Sequence, residues 1–389
     1  MTNWPTKKLG EICEIEGGDA APQDKTIFEN GTIPFVRMQD LGRYHITTNL
    51  IETVDKITNE ALQKFRLKIW PKGSILLPRS GSVYMNHRAI LGIDACVVSH
   101  IAILTNFSKE ILNKYLFYYL TILDIGRFGT QTTGIDSISF SQLGRLKIPL
   151  PPLNIQQKIV ERLDAIKKAQ ELNDKQIELA EELFQSLLHR ELDPKGKNWE
   201  MKRLGEVANF QYGYTESAKE RGNFCFIRIT DIDDNGELIN LDKKYIQADE
   251  KEVLPYILEK SDLLIARTGA TFGKMLYFDS VEPSVFASYL IRVKPNKNII
   301  IPKLIWLFSR TSDYWKQAWN LMTGSGQQQF NANKIKRIKI PLPPLETQQK
   351  IVEKLSAVQE YKKKLVQQKE LLKELFESVL HKSMAGKFD

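Results

Sequence analysis

Cysteine, histidine and long apolar runs are all scarce in this sequence of 389 residues, and each scarcity closes off a class of function. Cys13, Cys96 and Cys225 stand far apart, without the paired spacing of a zinc or redox site, so they are expected to be reduced structural thiols. Five scattered histidines offer no catalytic triad and no His-Glu-x-x-His metal pair. The longest apolar candidate, residues 95–104, is interrupted by Ser99 and His100 and falls well short of the ~20 residues of a membrane span. Met1-Thr2-Asn3-Trp4-Pro5 has no apolar signal-peptide core, which predicts a cytoplasmic chain without membrane association.

Nucleotide-binding motifs are missing too. Gly269-Ala270-Thr271-Phe272-Gly273-Lys274 ends like a phosphate loop, yet it is one residue short between its glycines, and Met275 follows where Ser or Thr would hold magnesium. Neither the glycine pattern of a dinucleotide fold nor the Asp-Pro-Pro-aromatic motif of an adenine methyltransferase occurs. No catalytic residue, metal or cofactor is expected. What remains is a chain long enough for two or more domains, with ordinary apolar content, a net charge of +8 and a pI near 9.1, values that suit a polyanionic partner.

The strongest positive signal is a repeat. Ile148-Pro149-Leu150-Pro151-Pro152-Leu153, followed by Gln156-Gln157-Lys158-Ile159-Val160-Glu161, recurs as Ile340-Pro341-Leu342-Pro343-Pro344-Leu345 and Gln348-Gln349-Lys350-Ile351-Val352-Glu353. The offset is 192 (341 minus 149), and it carries Leu163 to Leu355, Phe184 to Phe376 and His189 to His381 without a gap. Three prolines in four residues fix an extended chain, after which a helix begins. Asn154 is the expected N-cap with Gln157 as its capping-box partner, and Glu346 or Thr347 takes that part in the second copy.

Beyond the cap, Ile159, Leu163, Ile166, Gln170, Asn173, Ile177, Ala180, Phe184 and Leu187 follow a heptad seam. Ile351, Leu355, Val358, Lys362, Leu365, Lys369, Leu372, Phe376 and Val379 repeat it. A lone helix of roughly 37 residues, about 55 Å long, could not bury such a stripe. Antiparallel pairing of the two copies would bring Ile159 near Val379, Ile166 near Leu372 and Leu187 near Ile351, with the polar central positions fixing register.

Fainter duplication precedes each helix. Trp4 with Leu9-Gly10-Glu11 answers Trp199 with Leu204-Gly205-Glu206, and Phe35-Val36-Arg37 with Asp40 answers Phe226-Ile227-Arg228 with Asp231. Apolar runs at 33–38, 74–77 and 95–104 read as strands, while 109–123 and 302–319 read as amphipathic helices. The expected fold class is therefore α+β (mixed α/β), with an internal pseudo-two-fold repeat. Its parts are a first globular domain at 1–147, a proline signature and helix at 148–195, a second domain at 196–339, and a second signature and helix at 340–389.

This combination resembles the specificity subunit of type I restriction-modification systems, strongly in the helices and more weakly in the domains. The resemblance implies two target-recognition domains, each reading one half of an asymmetric bipartite site on double-stranded DNA. It also implies a helix pair that spaces them and docks two methyltransferase (modification) subunits, with restriction (translocase/nuclease) subunits joining the complex. Asn154-Ile155 stands where the family usually places an acidic residue before the glutamines. The rival reading is a scaffold that assembles proteins on its coiled coil and binds peptides or RNA through its domains; steep salt dependence and discrimination among duplex sequences separate the two.

Candidate DNA contacts fall in three places. Arg79-Ser80-Gly81 and Arg267-Thr268-Gly269 follow apolar strands, where Arg can reach phosphate or guanine and Gly permits close approach; being shared, they suit backbone positioning more than base reading. Gln131 and Thr132, and Gln327, Gln328 and Asn331, lie in polar stretches ahead of each proline signature, and Gln and Asn can pair with adenine. Lys274, Arg43, Tyr44, His87, Arg88, Tyr212 and Tyr214 are secondary candidates. For subunit docking, the duplicated Gln156, Gln157 and Lys158 with Gln348, Gln349 and Lys350 are the expected residues.

Overall fold

A computed structural model of the chain describes residues 4–44, 49–80, 85–128, 130–132, 135–239, 242–322 and 330–387. It divides into two compact units, residues 1–174 with 367–389, and residues 175–366. Each unit therefore holds one globular domain and one half of each long helix, Leu153–Leu192 and Leu345–Met384.

The strands of the first unit are β1 (Thr6–Lys8), β2 (Glu14–Gly17), β3 (Ile33–Val36), β4 (Asp55–Ile57), β5 (Ile75–Pro78), β6 (Ala89–Ile90), β7 (Cys96–Val97), β8 (Ile101–Thr105), β9 (Thr130–Thr132), β10 (Ile135–Ser137) and β11 (Lys147–Pro149). Those of the second are β12 (Glu200–Arg203), β13 (Ala208–Tyr212), β14 (Phe224–Ile227), β15 (Tyr245–Ile246), β16 (Leu263–Ala266), β17 (Met275–Tyr277), β18 (Ser284–Phe286), β19 (Leu290–Pro295) and β20 (Lys339–Leu342). The antiparallel sheet β2-β8-β5-β6 has its counterpart in β13-β19-β16-β17. The mixed sheet β4-β3-β7 matches β15-β14-β18, each with one antiparallel and one parallel pair.

The proline signatures are extended as expected, and the sheet pairing explains how they are held. Each is the edge of a two-stranded ribbon with the first strand of its own domain, Thr6↔Pro149 in β1-β11 and Met201↔Pro341 in β12-β20. Proline is tolerated there because an edge position needs no second ladder bond. The N-cap expectation fails: both helices begin at Leu153 and Leu345, with Pro152 O accepting from Gln156 N at 3.0 Å and Pro344 O from Gln348 N at 2.9 Å. Asn154, Glu346 and Thr347 thus lie inside the first turn. Proline can stand just ahead of a helix because that position owes no amide to the helical ladder.

Seam residues meet as the heptads require. In the first unit Ile159, Leu163 and Phe376 share one core with the domain's Leu9, Leu104 and Tyr115, Val379 packs against it, and Gln170 Nε2 donates to Leu372 O at 3.1 Å. In the second, Phe184, Leu187, Ile351 and Leu355 join Leu263, Ile291 and Trp306. Polar central positions find charged partners: Lys369 pairs with Asp174 at 2.8 Å, and Lys362 with Glu181 at 2.6 Å.

Two elements differ from expectation. The run 95–104 is two strands in different sheets, β7 and β8, divided by the turn at Ser99 and His100. The run 302–319 is two helices, Pro302–Phe308 and Ser312–Met322. The break is capped by hydroxyls, with Ser309 Oγ donating to Trp306 O, Thr311 Oγ1 donating to Phe308 O, and Thr311 Oγ1 accepting from Tyr314 N. All three cysteines are buried and free, and burial pushes the Cys13 thiol up to about 12 and Cys96 up to about 11, so neither is a ready nucleophile.

Candidate nucleic-acid interface

The paired arginine loops are built alike in the two domains. Arg79 leaves the end of β5 and donates its amide to His100 O at 2.8 Å; Arg267 leaves β16 and donates to Tyr289 O at 3.1 Å. Each arginine's own carbonyl in turn accepts from the segment that precedes the proline signature, from Ile138 N at 2.9 Å in one case and from Phe330 N at 2.9 Å in the other. Backbone on both sides is thereby fixed, and the side chain is aimed by aromatic rings. The Arg79 guanidinium lies 4.4 Å from the centroid of Phe140, and that of Arg267 lies 5.3 Å from Tyr212 and 5.7 Å from Tyr289.

The rings come from different places by a legible substitution. Gly17 stands opposite Ala102 in the β2-β8 ladder, and Tyr212 stands opposite Ile291 in the corresponding β13-β19 ladder. In the second unit the strand supplies the ring itself. In the first, the absent side chain makes room for Phe140, whose ring would come within 2.9 Å of any Cβ at residue 17. Such a cation–ring contact is worth about 0.5–1 kcal/mol, and it holds a planar guanidinium while leaving N–H groups free for phosphate or a base edge.

The candidates that fall within the described residues lie close to these arginines or to their strands. Ser80 bridges Ser137 at the end of β10, and its Oγ lies 2.7 Å from His100 Nδ1, so the loop and the β9-β10 hairpin carrying the backbone of Gln131 and Thr132 are adjacent. Asn331 follows Phe330, caps the short helix Ala332–Ile335 by accepting from Lys334 N at 3.0 Å, and sits beside Tyr212, whose hydroxyl accepts from Ala332 N at 3.2 Å. Gly269 adopts φ +69° with open space around it, so Gly is needed for the backbone rather than for clearance. Thr268 precedes it, its carbonyl accepting from Thr271 Oγ1 at 3.3 Å. Lys274 is ion-paired with Asp234. Gly81, Gln327 and Gln328 lie outside the described residues.

Several expectations need correction. Arg88 is fully buried and donates to Leu123 O at 2.8 Å, so it is a structural arginine. Gln156 and Gln348, expected at a docking surface, are completely buried. Gln156 Oε1 accepts from Leu112 N at 2.8 Å, and its Nε2 donates to Glu110 O at 2.9 Å and Pro151 O at 2.8 Å. Gln348 repeats the clamp on Ile301 N at 2.9 Å, Ile299 O at 3.0 Å and Pro343 O at 2.8 Å. A buried amide that satisfies three backbone groups cannot also meet a partner. Gln157 and Gln349 are exposed and bond to Glu161 and Glu353 on the next turn; Lys158 and Lys350 are exposed as well, Lys350 pairing with Glu346.

A second exposed feature of the helices escaped the sequence reading. Leu179 and Leu183 are 52% and 51% exposed, and Leu371 and Leu375 are 65% and 47% exposed. The same 192-residue offset relates the two pairs (371 minus 179, 375 minus 183). Residues four apart share a helix face, so each unit shows a two-leucine patch among charged neighbours.

Comparison with known proteins gives a concordant result. The family model of the type I restriction modification DNA specificity domain matches residues 1–182 and again 196–374. A putative type I restriction enzyme specificity subunit from Haemophilus influenzae is 22% identical over 364 residues, covering 89% of this chain and 85% of that protein. The MjaVIII specificity subunit of Methanocaldococcus jannaschii is 23% identical over 415 residues, covering 99% and 93%. The crystal structure of a type I restriction-modification S subunit from M. genitalium shares the fold with a TM-score of 0.61 at 17% identity, over 98% of this chain and 96% of that one. A chain from a study of complex assembly in a type I system gives 0.62 at 17% identity, over 100% and 99%. With one DNA-specificity domain matched twice, each time running on into a long helix, this chain belongs to the type I restriction-modification specificity-subunit family, and its part in such a system is DNA recognition rather than catalysis.

Proposed function

We propose that the chain directs a cytoplasmic type I restriction-modification complex to an asymmetric bipartite sequence, with one reader in residues 1–147 and the other in 196–339. The carrying observation is the arginine held on an aromatic ring at the same strand end in both domains, within surroundings that differ. Arg79 and Arg267 fix the backbone of the duplex. Gln131 and Thr132 in one domain and Gln327, Gln328 and Asn331 in the other contact bases, while Ser80 stays with Arg79 on the backbone. Methylome sequencing of cells with and without the chain tests this: a bipartite motif should vanish when the chain is removed. Arg267→Ala should weaken binding across many duplex sequences and lower the salt slope by about one unit, leaving the preferred half-sites unchanged. A change of motif at one half would make Arg267 a base reader instead.

The finer reading of the partners is two modification subunits, one per repeat, with restriction subunits completing the complex. Support comes from the repeated leucine patches, which can accept an apolar helix face as the buried glutamines cannot. Leu179→Ser with Leu183→Ser should reduce the modification subunits seen by native mass spectrometry from two to one, and Leu371→Ser with Leu375→Ser should do the same. Both changes are on the surface and should leave the melting temperature nearly unaltered. Two copies retained at wild-type affinity would remove the patches from the interface.

A further inference from the structure

In each unit a cavity of about 270 Å3 opens between the globular domain and the long helix that follows it. Lys167 and Glu171 line the first, and their counterparts at the 192-residue offset, Gln359 and Lys363, line the second. Three cationic side chains line each cavity, and one of them in each lies against two aromatic rings. Lys167 Nζ lies 5.5 Å from the centroids of both Phe117 and Tyr118, and the Arg310 guanidinium lies 5.0 Å from both Phe184 and Trp306.

Phe117 and Trp306 are equivalent, each five residues beyond the amide that the buried glutamine accepts, Leu112 in one domain and Ile301 in the other. The cavity cation over that ring comes from the long helix in the first unit and from the turn after the domain helix in the second, where Lys303 of the domain helix also lies 5.9 Å from the Trp306 centroid. The two repeats thus reach one arrangement from different residues.

Neither cation forms an ion pair within the described residues, and one lining carboxylate in each cavity is engaged elsewhere. Asp164 takes Lys114 and the Tyr118 hydroxyl, each at 2.6 Å, and Glu181 takes Lys362 at 2.6 Å and Gln185 at 2.8 Å. Burial pushes Lys167 down to about 8, against the partial help of Asp164 and Glu171, and it pushes Arg310 down as well. Both sites would gain from an arriving anion.

We propose that each cavity receives an acidic side chain from a docked modification subunit, the carboxylate pairing with Lys167 in one unit and with Arg310 in the other. This rests on the reading that two such subunits bind. A single carboxylate fits a cavity of this size. A DNA strand, by contrast, would bring successive phosphates against Asp164 and Glu171 in one unit and Glu181 and Glu237 in the other.

The test titrates the full chain with purified modification subunit, using native mass spectrometry for copy number and calorimetry for affinity. Lys167→Met and Arg310→Met should each weaken one of two sites by about ten- to a hundred-fold, the double variant should weaken both, and Lys167→Arg and Arg310→Lys should largely restore binding. Melting temperatures of the Met variants should hold or rise, since a partly buried cation without an ion pair is removed. A double variant that binds two copies at full affinity overturns the proposal and leaves docking intact. A wild-type chain that takes no modification subunit overturns the docking reading and this one with it. Loss confined to DNA affinity would make the occupant a phosphate and overturn the proposal as well.

Discussion

Replacing Gln156 or Gln348 with alanine should destabilise the unit that holds it by on the order of 3 kcal/mol or more, although both residues are polar and sit in helix first turns. Each amide satisfies three backbone groups at once: the N–H of Leu112 or Ile301 and two carbonyls, one of them in the proline signature. Removing it strands those groups, the proline-signature carbonyl where it is fully buried and the other two where they are partly buried, and each buried stranded group costs about 1–3 kcal/mol. Glutamate is no substitute, since its second oxygen would face two carbonyls where an N–H now donates. Exposed Gln157 and Gln349 provide the internal control, because their alanine variants lose one surface bond each and should stay within about 0.5 kcal/mol of wild type. Urea unfolding of the four variants decides it. Equal stabilities for Gln156→Ala and Gln157→Ala would show that the clamp contributes nothing.

That clamp also marks where sequence reading stops. The proline signature and the heptad seam are local patterns: prolines fix φ and spacing fixes a helix face, so their extended chain, long helices and seam contacts could be read without coordinates. The burial of Gln156 could not, since its partners Glu110 and Leu112 lie 46 and 44 positions away and only the tertiary fold brings them together. A duplicated glutamine is equally consistent with a docking surface and with a core clamp. The cap failed for a subtler reason. Asn154 has a strong capping propensity, but the Pro152 carbonyl already accepts the first helical hydrogen bond, from Gln156 N, so the helix opens ahead of Asn154.

The arginine loops were legible because they recur after apolar strands, whereas their rings were not. Phe140 lies 61 positions beyond Arg79, and its role depends on Gly17 leaving space. The leucine patches, by contrast, were within reach of the sequence. Leu179 and Leu183 lie off the seam and repeat at the same offset as the seam itself, a pattern that a repeat-aware search for apolar residues outside the heptad would have caught.

Lengthening both long helices by one heptad, after Asn173 and after Leu365, should widen the non-specific gap in the methylated motif while leaving both half-sites unchanged. The positions are chosen on physical grounds. Each helix passes from one compact unit to the other next to them, between Asp174 and Lys175 and between Val366 and Gln367. Seven residues keep the apolar seam in phase, so the helix pairing survives the insertion. At 1.5 Å per residue the helices gain roughly 10 Å, about three base pairs of B-DNA rise if they run along the duplex. Four residues in each helix would add only ~6 Å and would also rotate the far half of the helix by about 40°, since four residues exceed one turn. Activity should therefore survive the seven-residue change better than the four-residue one. Methylome sequencing reads the gap directly, and a fixed gap with methylation intact would show that spacing is set by something other than the helix pair.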